Sequence, residues 1–182
     1  MNPVLENIFT RRSCRSFTDQ TISKEDLVRI LKAAVYAPSA MNRQTWQFTA
    51  ITRRSKIQEL AAVAGTVLGR ENYDMYRPAV LVLASNEKES PFAREDNACA
   101  LENIFLAAHS LGIGSVWINQ LWGICDEPAV RSVLNGLGIP TEHDVFGAAA
   151  LGYPAAALPG QTEKKGSYII VECSEAALLA LQ

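Results

Sequence analysis

The chain has 182 residues, 48% hydrophobic and 20% charged, with a formal net charge of −2 and a pI near 5.7. That length and balance fit one soluble domain with a real core, expected over residues 1–182. A slightly acidic chain argues against nucleic acid or an anionic membrane as partner, and no apolar run approaches the ~20 residues that cross a bilayer.

In chain order, Asn2 and Pro3 suit the cap and first turn of a helix carrying Val4, Leu5, Ile8 and Phe9 on one face. That helix delivers the run RRSCRSF, where Arg11, Arg12 and Arg15 sit close together. Ser23 and Asp26 resemble a capping box, and Leu27, Ile30, Leu31, Ala34 and Val35 then recur at helical spacing until Pro38 stops them. QFTAIT from Gln47 is a strand. Ser55 and Gln58 start a helix through about Ala64, and Gly65 to Arg77 has no assignable period.

AVLVLAS from Ala79, apolar throughout, reads as a buried central strand. The longest helix runs from about Ala93 to Leu111, burying Leu101, Ile104, Phe105 and Ala108, with Gly112 at its stop. GSVWI from Gly114 is a strand, Pro128 to Leu134 a helix, DVFGAAALG from Asp144 a strand, and GSYIIVE from Gly166 a last strand. Helices interleaved with buried strands predict an α/β or α+β sandwich.

Cys14, Cys99, Cys125 and Cys173 lie far apart with no CxxC pair, and His109 and His143 are the only histidines. Free thiols in a reducing cytoplasm are therefore expected, and no metal site. The N-terminus lacks the basic start and apolar stretch of a secretory signal.

Three arginines beside Ser13 have the chemistry to grip a phosphate through bidentate guanidinium contacts, though a helix end also tolerates cations. APSAMNRQTWQF, from Ala37 to Phe48, offers Ser39, Asn42 and Gln44 in a loop able to face a flat heterocycle; a capped turn over a packed Trp46 is the alternative. LGIGSVWINQLWG ends a strand at Asn119 and Gln120, leaving backbone N–H groups beyond it. There is no GxGxxG and no P-loop.

Taken in order, RRSCRSF, APSAMNRQTWQF, the stretch DNACALENIFLAAHSLGIGSVWI from Asp96, and LGYP followed by Lys164 and Lys165 resemble the nitroreductase family of FMN-dependent oxidoreductases. The resemblance covers Arg11 to about Lys165. It implies an α+β sandwich with a central, mostly antiparallel sheet flanked by helices, and an obligate homodimer holding FMN at the subunit interface. It further implies that Arg11, Arg12, Ser13 and Arg15 bind FMN, with Arg11 and Ser13 at the phosphate and Arg15 near the pyrimidine edge. Pro38, Ser39, Ala40 and Asn42 match the loop laid against the flavin by the other subunit, with Gln44 close behind. Asn119 and Gln120 match main-chain amides at flavin N5 and O4, and Lys164 or Lys165 matches a late basic residue at the phosphate.

By the same resemblance the reaction is ping-pong hydride transfer from NADH or NADPH to an electron-poor acceptor such as a nitroaromatic or quinone. The chemistry sits at FMN N5, so no side chain is assigned as a catalytic acid or nucleophile. Thr45 stands where the family often has Pro, and only Gly65 to Arg77 is available to cover a site. A flavin-fragmenting or dehalogenating relative, or a flavin protein without turnover, are the other readings.

Overall fold

A computed structural model describes residues 2–158, 160 and 163–171. Four strands, β1 (Gln47–Ile51), β2 (Val80–Glu87), β3 (Gly114–Ile118) and β4 (His143–Gly152), form one sheet in the order β1-β2-β4-β3. Every neighbouring pair is antiparallel, and a bulge separates Ala84 from Ser85. β2 is central and buried along all but its last residue, as its unbroken apolar run predicts.

Strand alternation sends Leu81, Leu83, Val116, Ile118, Ala148 and Ala150 to one face, under α3 (Arg54–Val67) and α5 (Pro128–Gly136). Val80, Val82, Ala84, Ala149 and Leu151 line the other face, under α2 (Lys24–Val35) and α4 (Ala93–Ser110). Ser23 caps α2 as expected: its Oγ accepts the Asp26 N–H at 3.0 Å and donates to Asp26 Oδ2 at 2.8 Å. No helix among the described residues is long and apolar enough to cross a membrane.

Two expectations change. α3 starts one residue earlier than Ser55 and continues past Ala64, because Ala64 and Gly65 are still buried against the core. The tail from Gly166 forms no strand over Gly166–Val171, where Tyr168, Ile169, Ile170 and Val171 are 67–89% exposed. A strand needs an adjacent hydrogen-bonding edge, and among the described residues none lies alongside; Glu172, like Cys173, falls outside them.

α1 (Pro3–Thr10) forms as its sequence predicts, capped by Asn2 Oδ1 on the Val4 N–H at 2.8 Å. It nevertheless buries none of its residues: Val4, Leu5, Ile8 and Phe9 remain 44–66% exposed.

Candidate functional site

The arginine run begins where α1 docks on α4. Asn7 Nδ2 donates to Leu106 O at 3.0 Å, and Thr10 Oγ1 lies 2.9 Å from His109 Nε2. Burial, helped by the nearby Arg11 and Arg12, holds His109 below its ordinary range. The backbone then straps across one end of the sheet. Ser13 bridges Ser115, the Cys14 N–H donates to Ser115 O at 2.8 Å, Phe17 bridges Pro154, and the Thr18 N–H reaches Tyr153 O at 2.8 Å. Gly114 makes this crossing possible, since a Cβ there would stand 2.7 Å from Cys14 Cβ.

The four cofactor candidates of the run have different surroundings. Arg11 lies over the Phe105 ring, 5.8 Å from its centroid, with Nε 3.8 Å from Glu102. Arg12 Nη1 donates to Phe9 O at 2.9 Å and Arg11 O at 2.6 Å, and Nε reaches Gly160 O at 3.4 Å. Arg12 thus clasps carbonyls that the end of α1 leaves unpaired. Ser13 is half-buried, and Arg15 is exposed with no ion-pair partner among the described residues. Lys164 and Lys165 are exposed beyond Gly160.

The loop after α2 sits elsewhere. Ser39 and Ala40 are half-buried, whereas Pro38, Asn42 and Gln44 are exposed. The Ala40 N–H donates to Asp96 Oδ1 at 2.9 Å, fixing the loop to the first turn of α4. Gln44 N–H donates to Ser39 Oγ at 3.2 Å and Gln44 Nε2 to Asn42 Oδ1 at 2.6 Å. Met41, Asn42 and Gln44 all hold left-handed φ near 51–53°, a conformation that costs energy in non-glycine residues and persists only when neighbours enforce it. From Asp96 to Phe105 the helix rises about 13 Å. Within one chain, then, the loop and the arginine run lie towards opposite ends of α4.

β3 links the run to the third candidate. Trp117 packs on Phe105 with centroids 6.0 Å apart, and its Nε1 donates to Asn119 Oδ1 at 3.4 Å. Beside it lies a cleft of about 340 Å³ lined by Arg94, Glu95, Ala98, Trp117, Asn119 and Phe146. Arg11, Phe105, Trp117 and Asn119 therefore form a continuous ladder from the strap to the strand end, four residues or about 13 Å beyond Ser115.

The two strand-end amides differ. The Asn119 N–H donates to Gln120 Oε1 at 3.1 Å, whereas the Gln120 N–H has no acceptor among the described residues. Gln120 Oε1 also accepts the Tyr73 hydroxyl at 3.2 Å. Sequence reading missed Tyr73 because its segment has no period, and read Phe105 as core and, with Leu101, as dimer interface, whereas both are buried within the chain. The one signal for Trp117 was its place in an apolar strand, where its 38% exposure is unusual.

The model of the nitroreductase family matches residues 8–153. A protein of Archaeoglobus fulgidus, provisionally named an NADH dehydrogenase/NAD(P)H nitroreductase, is 38% identical over 161 residues, covering 85% of this chain and 87% of that one. A Bacillus subtilis FMN reductase (NADPH) is 28% identical, covering 85% of this chain and 67% of that one. Among solved structures, a Bacteroides fragilis nitroreductase with bound FMN superposes with a TM-score of 0.87 at 43% identity, covering 94% of this chain and all of the other (100%). The chain belongs to the nitroreductase family.

Proposed function

We propose that this chain is an FMN-dependent NAD(P)H oxidoreductase that passes hydride, in a ping-pong sequence, to an electron-poor acceptor such as a nitroaromatic or a quinone. The observation that carries the reading is the arginine strap joined by the Phe105–Trp117 ladder to a strand-end amide with no acceptor among the described residues. It places cationic donors at one end and a neutral, directional donor at the other. The relatives named as FMN reductase and FMN-bound nitroreductase supply the cofactor class.

The donor set fits FMN. Its phosphate carries close to two negative charges, which Arg11, Ser13 and the lysines Lys164 or Lys165 have the charge and hydrogen-bond donors to meet. Arg12, engaged by carbonyls, fixes the strap and so orients Arg11 and Ser13. Arg15, exposed and without an ion-pair partner among the described residues, supplies positive charge for the pyrimidine edge. Gln120 N–H serves the N5 and O4 edge. Bound FMN supplies the hydride chemistry at N5, and the protein supplies orientation and electrostatics.

The second half of the site comes from a second copy in this reading. Pro38, Ser39, Ala40, Asn42 and Gln44 sit on a loop tied to the first turn of α4, away from the Arg11–Phe105 contact of their own chain's strap, and are assigned to the partner's flavin. The apolar face of α1 and the exposed Tyr168–Val171 segment supply surface that a homodimer would cover. We place the protein in the cytoplasm, where the free thiols of Cys14, Cys99 and Cys125 persist. The test is turnover: NADH or NADPH oxidation by the FMN-loaded protein with a nitroaromatic and with a quinone. Parallel double-reciprocal lines are expected for ping-pong kinetics. FMN binding without turnover on either acceptor would leave a flavin carrier instead.

A further inference from the structure

The segment between α3 and β2, a stretch with no period in the sequence, is held down firmly. Met75 is fully buried in the core, Gln58 Nε2 donates to Asp74 O at 3.4 Å, and the Arg70 N–H closes onto Gly65 O at 2.8 Å. Asn72, Met75, Tyr76 and Arg77 all take left-handed φ of 49–65°. Of these four only Met75 is buried, so the segment is fixed by that side chain together with the Gln58 and Gly65 hydrogen bonds. The segment is thus a fixed buttress against the end of β3, and what it presents there is Tyr73.

The Tyr73 hydroxyl donates to Gln120 Oε1 at 3.2 Å, and the same oxygen accepts the Asn119 N–H at 3.1 Å. Held from both sides, the Gln120 side chain covers the Asn119 amide and leaves the Gln120 N–H as the open donor of the pair. Burial pushes the Tyr73 phenol up to about 12, against a smaller opposing effect of Arg70, so it remains a donor across the working pH range.

We infer that Tyr73 is a positioning residue for the flavin reaction: by fixing Gln120 Oε1 on the Asn119 N–H, it selects the Gln120 N–H as the donor to the N5–O4 edge of the ring. The inference rests on the FMN reading above. At O4, which gains electron density on reduction, a preorganised N–H dipole favours the reduced cofactor over the oxidised one, whereas N5 accepts only in the oxidised ring. Tyr73 therefore acts on the balance between the two oxidation states rather than on overall binding.

The experiment measures FMN affinity and the midpoint potential of bound FMN in the intact protein, with a thermal melt for each variant. Tyr73→Phe is expected to lower the affinity for reduced relative to oxidised FMN about three- to tenfold, the span of one ordinary hydrogen bond. For a two-electron couple, tenfold is about 30 mV. Oxidised-FMN affinity and melting temperature should barely move. Gln120→Ala should give a similar shift, and adding Tyr73→Phe to it should add nothing, because the tyrosine works through Gln120.

Gly65→Ala is a second probe, since a Cβ there would stand 3.0 Å from Tyr73 Cβ and from Arg70 O. It should displace Tyr73 with its hydroxyl intact and shift the potential the same way. Wild-type protein that takes up FMN while Tyr73→Phe leaves the potential unchanged, or adds fully to Gln120→Ala, would overturn the role of Tyr73. Wild-type protein that takes up no FMN would instead overturn the flavin reading beneath it.

Discussion

Arg11 and Arg15 differ in what already surrounds them, and their substitutions should differ accordingly. Arg11 is half-buried over Phe105 beside the strap, so Arg11→Ala should weaken FMN binding by about 1.5–3 kcal/mol, the range for a hydrogen bond to a charged group. Arg15→Ala should alter the potential of bound FMN more than its affinity. Fluorescence titration and potentiometry separate the two, and negligible effects from both would return the run to an ordinary solvated helix end. Charge density is what singles these residues out as candidates in the sequence. The clasp of Arg12 was not, because it depends on where the last carbonyls of α1 point. Tyr73 was hidden for a related reason: its contact with Gln120 spans 47 positions and leaves no local pattern.

Among the elements, the strap depends on a strand that lacks a side chain at the crossing. Gly114→Ala would drive a Cβ to 2.7 Å from Cys14 Cβ and 2.9 Å from its Sγ, both buried. A loss of about 1–3 kcal/mol in urea unfolding is expected from such overpacking, together with weaker FMN retention. An unchanged unfolding midpoint would show that the strap is not held there. The regular helices and strands were readable because period and caps are local, as with Asn2, Ser23 and the unbroken apolar run of β2. The tail from Gly166 carried the same apolar signal and is not a strand, since pairing is a property of two segments and the sequence of one cannot supply the other. α1 makes the same point: its amphipathic pattern was correct, yet α1 buries none of its residues in its own chain.

At the scale of the molecule, pH should act through the far end of the sheet. His143 is buried against Ser85, with Nδ1 3.2 Å from its Oγ, and burial holds it below the ordinary histidine range despite Glu142 and Glu87. Below about pH 6.5 the unfolded chain binds a proton that the folded chain resists, so the unfolded state carries more protons and stability falls as pH falls. Melting temperature should decline from pH 7.5 to 5.5, and His143→Gln should flatten that slope; an unchanged slope would assign it to other groups.

Assembly is the larger consequence. In the proposed homodimer, the exposed Val4, Leu5, Ile8 and Phe9, with Tyr168–Val171, are the apolar area to be covered. Truncation before Gly166 should therefore impair dimerisation and release flavin together. Because this reading assigns the loop of Ser39 and Asn42 to the partner's flavin, neither chain alone completes a site, and FMN must stabilise the dimer by mass action.

Sedimentation velocity across an FMN titration, followed at the flavin absorbance, tests that claim most directly. The account predicts flavin colour sedimenting with a dimer, at one FMN per chain, and dimer population rising with FMN. A monomer carrying FMN at full affinity would contradict it, placing the whole site within one chain and removing Ser39 and Asn42 from it.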